Sequence, residues 1–201
     1  LIPKANLSLR ITLTAGLGSN SLVTPTDFQP TRILQIEPCH FAEPPVEGVD
    51  AILCETPLAI QPRLAGVKHL NRMEQVIARA EWREPGIREG VMLDTSGLLV
   101  GGTRSNLFWV NHGTLFTPEL SQAGIRGAMR SAVIRLAQQQ GVAVHEVRET
   151  PDVLHLADEL FFCNSAEGIL PVKALAQNQY AVGSKTLTGQ LRADLARVLY
   201  D

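Results

Sequence analysis

One lysine separates an apolar stretch from a predicted helix, in the segment LAGVKHLNRMEQ at residues 64–75. The chain has 201 residues and only four lysines against fourteen arginines, so the amine of Lys68 calls for a chemical reason. Apolar surroundings lower the pKa of a lysine and favour the neutral amine, which is the form that makes a Schiff base. The segment alone is also typical of a lysine that extends from a strand end into solvent.

Three further segments could contact a planar ligand that carries a phosphate. In VGGTRSNLFWV (100–110), a glycine turn precedes an apolar strand and lets the backbone approach a flat ligand closely, although an ordinary hairpin would explain it too. In AGIRGAMR (123–130), a helix opens with glycine, so we expect the amides of Ile125 and Arg126 to be free donors at the positive end of the helix dipole. CNSAEGILPV (163–172) ends a strand with small polar residues and is a second possible phosphate cradle.

Taken in this order, the segments resemble the fold type IV pyridoxal-phosphate enzymes and, within them, the 4-amino-4-deoxychorismate lyases. The resemblance extends from about Ser8 through LAGVKHLNRMEQV, TRSNLFWV, TPELSQAGIRGAMR and FFCNSAEGILPV. It implies that Lys68 is the catalytic, Schiff-base lysine, and an arginine could not form that bond. It also implies that Ile125 and Arg126 offer backbone amides to the cofactor phosphate. Ser165 and Ala166 would supply further phosphate contacts.

The resemblance also implies a function and partners. The cofactor would be pyridoxal 5′-phosphate, and the reaction would release pyruvate from 4-amino-4-deoxychorismate to leave 4-aminobenzoate, a folate precursor. The family further implies a cytoplasmic homodimer. Two alternatives remain: an aminotransferase of the same fold for branched-chain or D-amino acids, and a truncated, catalytically weak homologue that only binds a partner or the cofactor. The KHLNR run favours the lyase.

Two departures from the family pattern accompany these motifs. Family members place a glutamate against the pyridine nitrogen of the cofactor, in the segment before TxSN, and this chain has Gly101 there. A pyridine ring without that acid partner is a poorer electron sink. Family members also have an N-terminal lobe ahead of the first strand predicted here, with an arginine that holds the phosphate.

Composition narrows the classes of function. The chain has 18 basic and 20 acidic side chains, a formal net charge of −2 and no block of like charges, so we expect no nucleic-acid or membrane binding. Its apolar runs are far shorter than a membrane span. The five histidines are scattered and predict no metal site. Cys39, Cys54 and Cys163 form no CxxC pair and are expected to be small buried residues of a protein in a reducing compartment.

Strand and helix patterns are intermixed along the chain, which predicts an α+β fold with a large C-terminal cofactor-binding domain of the fold type IV, D-amino acid aminotransferase-like architecture. We expect residues 1–30 to be the end of an N-terminal lobe and its connector, and residues 31–201 to be the cofactor-binding domain. Helices are predicted at 70–83, 124–141, near 151–157 and at the C-terminus from 187. Strands are predicted at 8–16, 31–38, around 51–55, and at 90–94, 106–110, 114–118, 142–147 and 159–164.

Overall fold

The computed structural model describes residues 7–16, 27, 29–38 and 44–200, with side chains as far as residue 198. The chain divides into two compact units, residues 1–42 and 43–201. In the first unit, β1 (Leu7–Thr14) and β2 (Thr31–Pro38) form an antiparallel hairpin in which Leu7 lies opposite Pro38. The boundary that we expected after residue 30 therefore falls between the two strands of this hairpin.

The second unit is built on a mixed sheet of nine strands. The strands are β3 (Val49–Leu53), β4 (Ile87–Leu93), β5 (Leu99–Gly102), β6 (Asn106–Asn111), β7 (Thr114–Pro118), β8 (Val144–Val147), β9 (Glu159–Asn164), β10 (Gly168–Leu175) and β11 (Asn178–Gln179). Their order in the sheet is β5-β4-β3-β10-β9-β6-β7-β8, with β11 paired to β10. Strand β3 is parallel to both of its neighbours, and β7 is parallel to β8, whereas the other neighbouring pairs are antiparallel.

Three α-helices and one 3₁₀ helix accompany the sheet. They are α1 (Met73–Arg79), α2 (Ala128–Gln139), the 3₁₀ helix (Pro151–Leu156) and α3 (Leu187–Tyr200). Gly141, whose φ is +76°, follows the C-cap Gln140 of α2, and the amide of Val142 donates to the carbonyl of Ala137 at 2.9 Å. Gly141 is thus the C′ glycine that commonly terminates a helix, because glycine adopts this left-handed conformation without strain.

Two buried clusters lie against the sheet and hold its central strands. Side chains from the middle of β6 and β9 alternate between them: Leu107, Trp109 and Phe162 belong to one cluster, and Phe108 and Phe161 belong to the other. Phe108 stacks on Phe161 with ring centroids 5.0 Å apart. Since both faces of these strands are buried, NLFWV and ELFFC read as continuous apolar runs in the sequence.

The α+β content is confirmed, and two predicted helices begin later than expected. Helix α1 begins at Met73 rather than at residue 70. The apolar residues Met73 and Ile77, whose spacing indicates a helix, are 63% and 52% exposed, whereas Gln75 and Ala78 are buried. Helix α2 begins at Ala128 rather than at residue 124, so Ile125 precedes the helix. Apolar spacing locates a helix well but does not show whether the apolar side meets the same chain.

The cysteines of the described part are unpaired and buried, as predicted; Cys39 lies outside the described residues. Burial raises the pKa of the Cys54 thiol and of the Cys163 thiol to about 12. Within the described ranges, no helix combines the length and the apolar character needed to cross a membrane. The same ranges contain no group of three or more His, Cys, Asp or Glu side chains placed to bind a metal ion.

Candidate functional site

The segment that carries Lys68 pairs with the turn before helix α2. Gly66 and Ile125 form an isolated parallel bridge, in which the amide of Gly66 donates to the carbonyl of Gly124 at 2.9 Å. The amide of Arg126 completes the bridge by donating to the carbonyl of Gly66 at 3.1 Å. Lys68 is two residues beyond this bridge, so the tertiary structure brings two motifs together that are about 60 residues apart in the sequence.

Two side chains attach the TRSN segment to the same place. The side-chain amide of Asn106 donates to the carbonyl of Ile125 at 2.7 Å. The guanidinium of Arg72, in the KHLNR run, donates to the carbonyl of Thr103 at 3.3 Å. Burial lowers the pKa of Arg72, although the nearby Glu74 carboxylate opposes this. Three of the four motifs are thus joined through hydrogen bonds between residues that are distant in the sequence.

A buried glutamate on β4 fixes the turn from Thr103 to Ser105, which follows the paired strand β5. Glu89 is 1% exposed, and one of its carboxylate oxygens accepts bonds from the amide of Thr103 at 3.0 Å and from the Thr103 hydroxyl at 2.5 Å. Its other oxygen accepts the Ser105 hydroxyl at 2.7 Å. The hydroxyl groups of this segment are therefore bound within the protein.

An ionic network joins this turn to the fourth motif. The guanidinium of Arg104 lies 3.2 Å from the carboxylate of Glu167 and 3.9 Å from that of Glu89. Arg88 also pairs with Glu167, at 3.0 Å. Glu167 belongs to the tight turn between β9 and β10 that contains Ser165 and Ala166. The two turns therefore share a set of fixed charges.

The four residues predicted to contact the phosphate, Ile125, Arg126, Ser165 and Ala166, differ in whether their backbone amides already have an acceptor. The Arg126 amide donates to the carbonyl of Gly66, and the Ala166 amide donates to the side-chain oxygen of Asn164 at 2.9 Å. Within the described residues, the amides of Ile125 and Ser165 have no acceptor. The expectation that Ile125 and Arg126 are both free donors in a helix is thus wrong for Arg126, and both residues precede Gly127, the N-cap of α2.

Lys68 itself is exposed, in contrast to the apolar setting expected from the LAGV segment. The physical reason lies in the same segment, because Leu64 and Val67 are 45% and 52% exposed and do not enclose the lysine. Exposure of these apolar neighbours leaves a surface that a ligand or another chain can cover.

Gly101 lies inside strand β5, where it pairs with Met92 on β4. Its φ is outside the left-handed region, so a side chain at this position would meet no conformational penalty from φ. An added Cβ would lie 3.0 Å from the carbonyl oxygen of Ser105, and a shift of a few tenths of an ångström would relieve this contact. The absence of a carboxylate at residue 101 is thus a feature of the sequence that the backbone does not impose.

Comparison with known proteins assigns the segments to one family. The family profile described as Amino-transferase class IV matches residues 2–175. The chain belongs to this family. The fold type IV architecture expected from the motifs is confirmed by this match and by the structural neighbours.

The most informative relatives include both lyases and aminotransferases. An aminodeoxychorismate lyase from Vibrio harveyi is 38% identical over 160 residues, which cover 79% of this chain and 59% of that protein. A crystal structure of 4-amino-4-deoxychorismate lyase from Pseudomonas aeruginosa is 40% identical with a TM-score of 0.90, and covers 95% of this chain and 71% of that chain. A branched-chain-amino-acid aminotransferase from Escherichia coli is 35% identical over 113 residues, 56% of this chain and 37% of that protein. The chain spans 59% of the length of the Vibrio relative.

Three residues that shape the site were not singled out in the sequence analysis: Glu89, Asn106 and Glu167. A lone glutamate in a strand or a turn is usually a solvated surface residue, so no sequence signal marked Glu89 or Glu167. Asn106 follows directly after the TRS turn, and its partner Ile125 is 19 residues away. Each residue acts through contacts that are set by the sheet.

Proposed function

We propose that this chain is the cofactor-binding part of a pyridoxal 5′-phosphate enzyme, and that its reaction is the release of pyruvate from 4-amino-4-deoxychorismate. The observation that carries the proposal is the bridge between Gly66 and Ile125. It puts the amine-bearing segment of Lys68 beside an amide that has no acceptor within the described residues. Binding of this cofactor requires at least an amine and a hydrogen-bond donor for its phosphate, and here the two belong to neighbouring segments.

The residues present fit the cofactor. The amides of Ile125 and Ser165 can donate to a phosphate. Among the described residues no side chain caps the first turn of α2, so the positive end of its dipole is also available. Arg126 and Ala166 would contribute to phosphate binding only if their amides exchanged their present acceptors. We therefore assign the main phosphate contacts to Ile125 and Ser165.

Lys68 is the residue to which we assign the chemistry. When bound, the cofactor supplies an electron-withdrawing ring that stabilises negative charge at a substrate carbon. Lys68 would hold the cofactor through its amine and move protons as pyruvate leaves. The network of Glu89, Asn106 and Arg72 would keep the surrounding turns in register during these steps.

An aminotransferase is the second candidate, and the Escherichia coli relative favours it. Branched-chain or D-amino acids would then be the substrates. The lyase has the stronger support because the relatives with that activity match at 38% and 40% identity over most of this chain. Gly101 favours the third alternative, a catalytically weak homologue that only binds a partner or the cofactor.

The proposal also includes an assembly and a location. We infer a homodimer, because apolar side chains of α1 are exposed in the single chain and burial of such a surface favours association. We place the protein in the cytoplasm, because the two cysteines of the described part are buried thiols and form no disulfide. No nucleic acid is proposed as a partner.

The test is to add pyridoxal 5′-phosphate, reduce with borohydride and map the labelled peptide. The pyridoxyl group should be found on Lys68. Lys68→Arg should abolish the label, and Lys185→Arg, at an exposed lysine of another segment, should retain it. Labelling of Lys4, Lys173 or Lys185 in the unmodified protein would overturn the assignment. Incubation of the loaded protein with 4-amino-4-deoxychorismate or with a branched-chain amino acid then separates the two reactions by their products.

A further inference from the structure

A carboxylate inside the sheet holds the turn that joins the four motifs. Glu89 lies on β4, and its two oxygens receive hydrogen bonds from the amide and hydroxyl of Thr103 and from the hydroxyl of Ser105, at 2.5–3.0 Å. The amide of Gly90 adds another bond at 3.0 Å. A buried carboxylate with this many donors is strongly fixed in position, since each donor compensates for the loss of water.

The backbone next to this carboxylate is shaped to receive it. An added Cβ at Gly102 would lie 2.9 Å from Cδ of Glu89 and would overlap the Ser105 hydroxyl. Glycine at 102 therefore leaves the space that the Glu89 side chain occupies. The two strands pair at Val91 and Gly102, so the carboxylate and the turn are held by the same ladder.

The turn transmits this position to the rest of the site. Asn106 follows Ser105 directly and binds the carbonyl of Ile125, whose amide we assign to the cofactor phosphate. The carbonyl of Thr103 accepts the guanidinium of Arg72, four residues after Lys68. A displacement of the turn would thus move both the Ile125 amide, which is the assigned hydrogen-bond donor to the phosphate, and the segment that carries Lys68.

We propose that Glu89 is a positioning residue of this site, which sets the cofactor affinity by fixing the turn from Thr103 to Ser105. The inference rests on the proposed function, because it concerns the same cofactor. Glu89 does not touch the cofactor in this scheme. It acts through Thr103 and Ser105, and it pairs with Arg104 at 3.9 Å, which links the turn to Glu167.

The primary test is Glu89→Gln, which keeps the size of the side chain but replaces one acceptor oxygen by a donor. An amide NH₂ group would then face Ser105 and Arg104, of which Arg104 can only donate. We expect the dissociation constant for pyridoxal 5′-phosphate to rise about tenfold. We also expect the visible circular dichroism of the bound cofactor to change, because that signal depends on how the cofactor is oriented.

Glu159→Gln is the matched control. Glu159 is 8% exposed and its carboxylate accepts the amides of Leu187 and Thr188 at 2.9 and 2.7 Å, at the start of α3. This variant should lower the thermal midpoint of unfolding but leave the cofactor dissociation constant and the circular dichroism signal unchanged. Glu159→Gln thus measures the effect on stability of losing a buried carboxylate that has no assigned role in cofactor binding.

A milder variant covers the case in which Glu89→Gln does not fold. Ser105→Ala removes one bond to the carboxylate, and we expect it to raise the dissociation constant about threefold. Unchanged affinity and circular dichroism in the folded variants would overturn the inference. If the unmodified protein bound no pyridoxal 5′-phosphate, the proposed function would fail as well. Binding by the unmodified protein that these variants leave unaltered would refute only the role of Glu89.

Discussion

The side-chain amide of Asn106, the first residue of β6, donates a 2.7 Å hydrogen bond to the carbonyl of Ile125. Ile125 lies two residues before Gly127, the N-cap of α2. The space for this contact depends on Gly127, where an added Cβ would overlap the Asn106 side-chain oxygen. One amide thus fixes the carbonyl of the very residue whose own N–H we assign to the phosphate.

Removal of this contact should weaken both the fold and cofactor binding. Asn106→Ala is expected to lower the free energy of unfolding by about 1 kcal/mol, because a part-buried hydrogen bond is lost. It should also raise the dissociation constant for pyridoxal 5′-phosphate, as measured by absorbance titration. The control is Asn178→Ala, since Asn178 contacts His155 in an exposed pair. Equal cofactor affinity in the two variants would contradict the assigned role of the Ile125 turn.

A carboxylate at residue 101 should raise the rate of 4-aminobenzoate release. Gly101 has no left-handed φ, and the one close contact of a new Cβ is with the Ser105 carbonyl, so Gly101→Glu should fold. A charged partner for the ring nitrogen could contribute a few kcal/mol, roughly, to stabilisation of the developing charge. Gly101→Gln is the matched control because it adds the same volume without the charge. Equal turnover by both loaded variants would show that the carboxylate is dispensable.

The exposed apolar side of α1 should be an association surface. Met73, Val76 and Ile77 are 63%, 61% and 52% exposed, and burial of such surface contributes about 25 cal/mol per Å². Ile77→Glu should shift light scattering toward the monomer without unfolding the chain. Val198→Glu is the control, since Val198 is 71% exposed on another helix. A monomeric unmodified protein at micromolar concentration would rule out the homodimer.

Acid should weaken the hydrogen bonds between the turn after α1 and the loop after β3. Partial burial opposes ionisation of Glu81, but bonds from the Thr56 hydroxyl and from the amides of Glu55 and Thr56 outweigh it and lower the pKa of this carboxyl. A folded-state pKa below the unfolded value gives stability that is present above the unfolded pKa and is lost as the pH falls through the folded pKa.

The corresponding measurement is urea unfolding of the unmodified protein and Glu81→Gln between neutral and acid pH. At neutral pH the unmodified protein should have a larger free energy of unfolding than Glu81→Gln. This difference between the two proteins should shrink as the pH falls. Glu149→Gln, at an exposed glutamate, should show no such difference. A gap that stays constant across the range would exclude the proposed linkage.

Local sequence was sufficient to locate much of this architecture. The bounds of β2, β7, β9 and α3 follow the predicted ones because their turn residues and apolar runs are contiguous in the chain. Three strands were not predicted: β5, β10 and β11. The short segments VGG and NQ have no strand pattern and are stabilised by their neighbours in the sheet, and β10 contains Pro171, which weakens a strand pattern. The sequence also identified Lys68 as the candidate Schiff-base residue, because lysine is rare in this chain and its amine can form a bond that the guanidinium of arginine cannot.

The tertiary structure alone decided which groups around Lys68 are available. Whether an amide is open depends on what lies opposite it, and the partner of the Arg126 amide is Gly66, 60 residues earlier in the chain. In the sequence, Glu89 is indistinguishable from an ordinary glutamate of a strand. The pairing of β4 with β5 brings its carboxylate against Thr103 and Ser105. Residue type determines what a group can do, whereas the pairing of distant segments determines which partners have already used its hydrogen bonds.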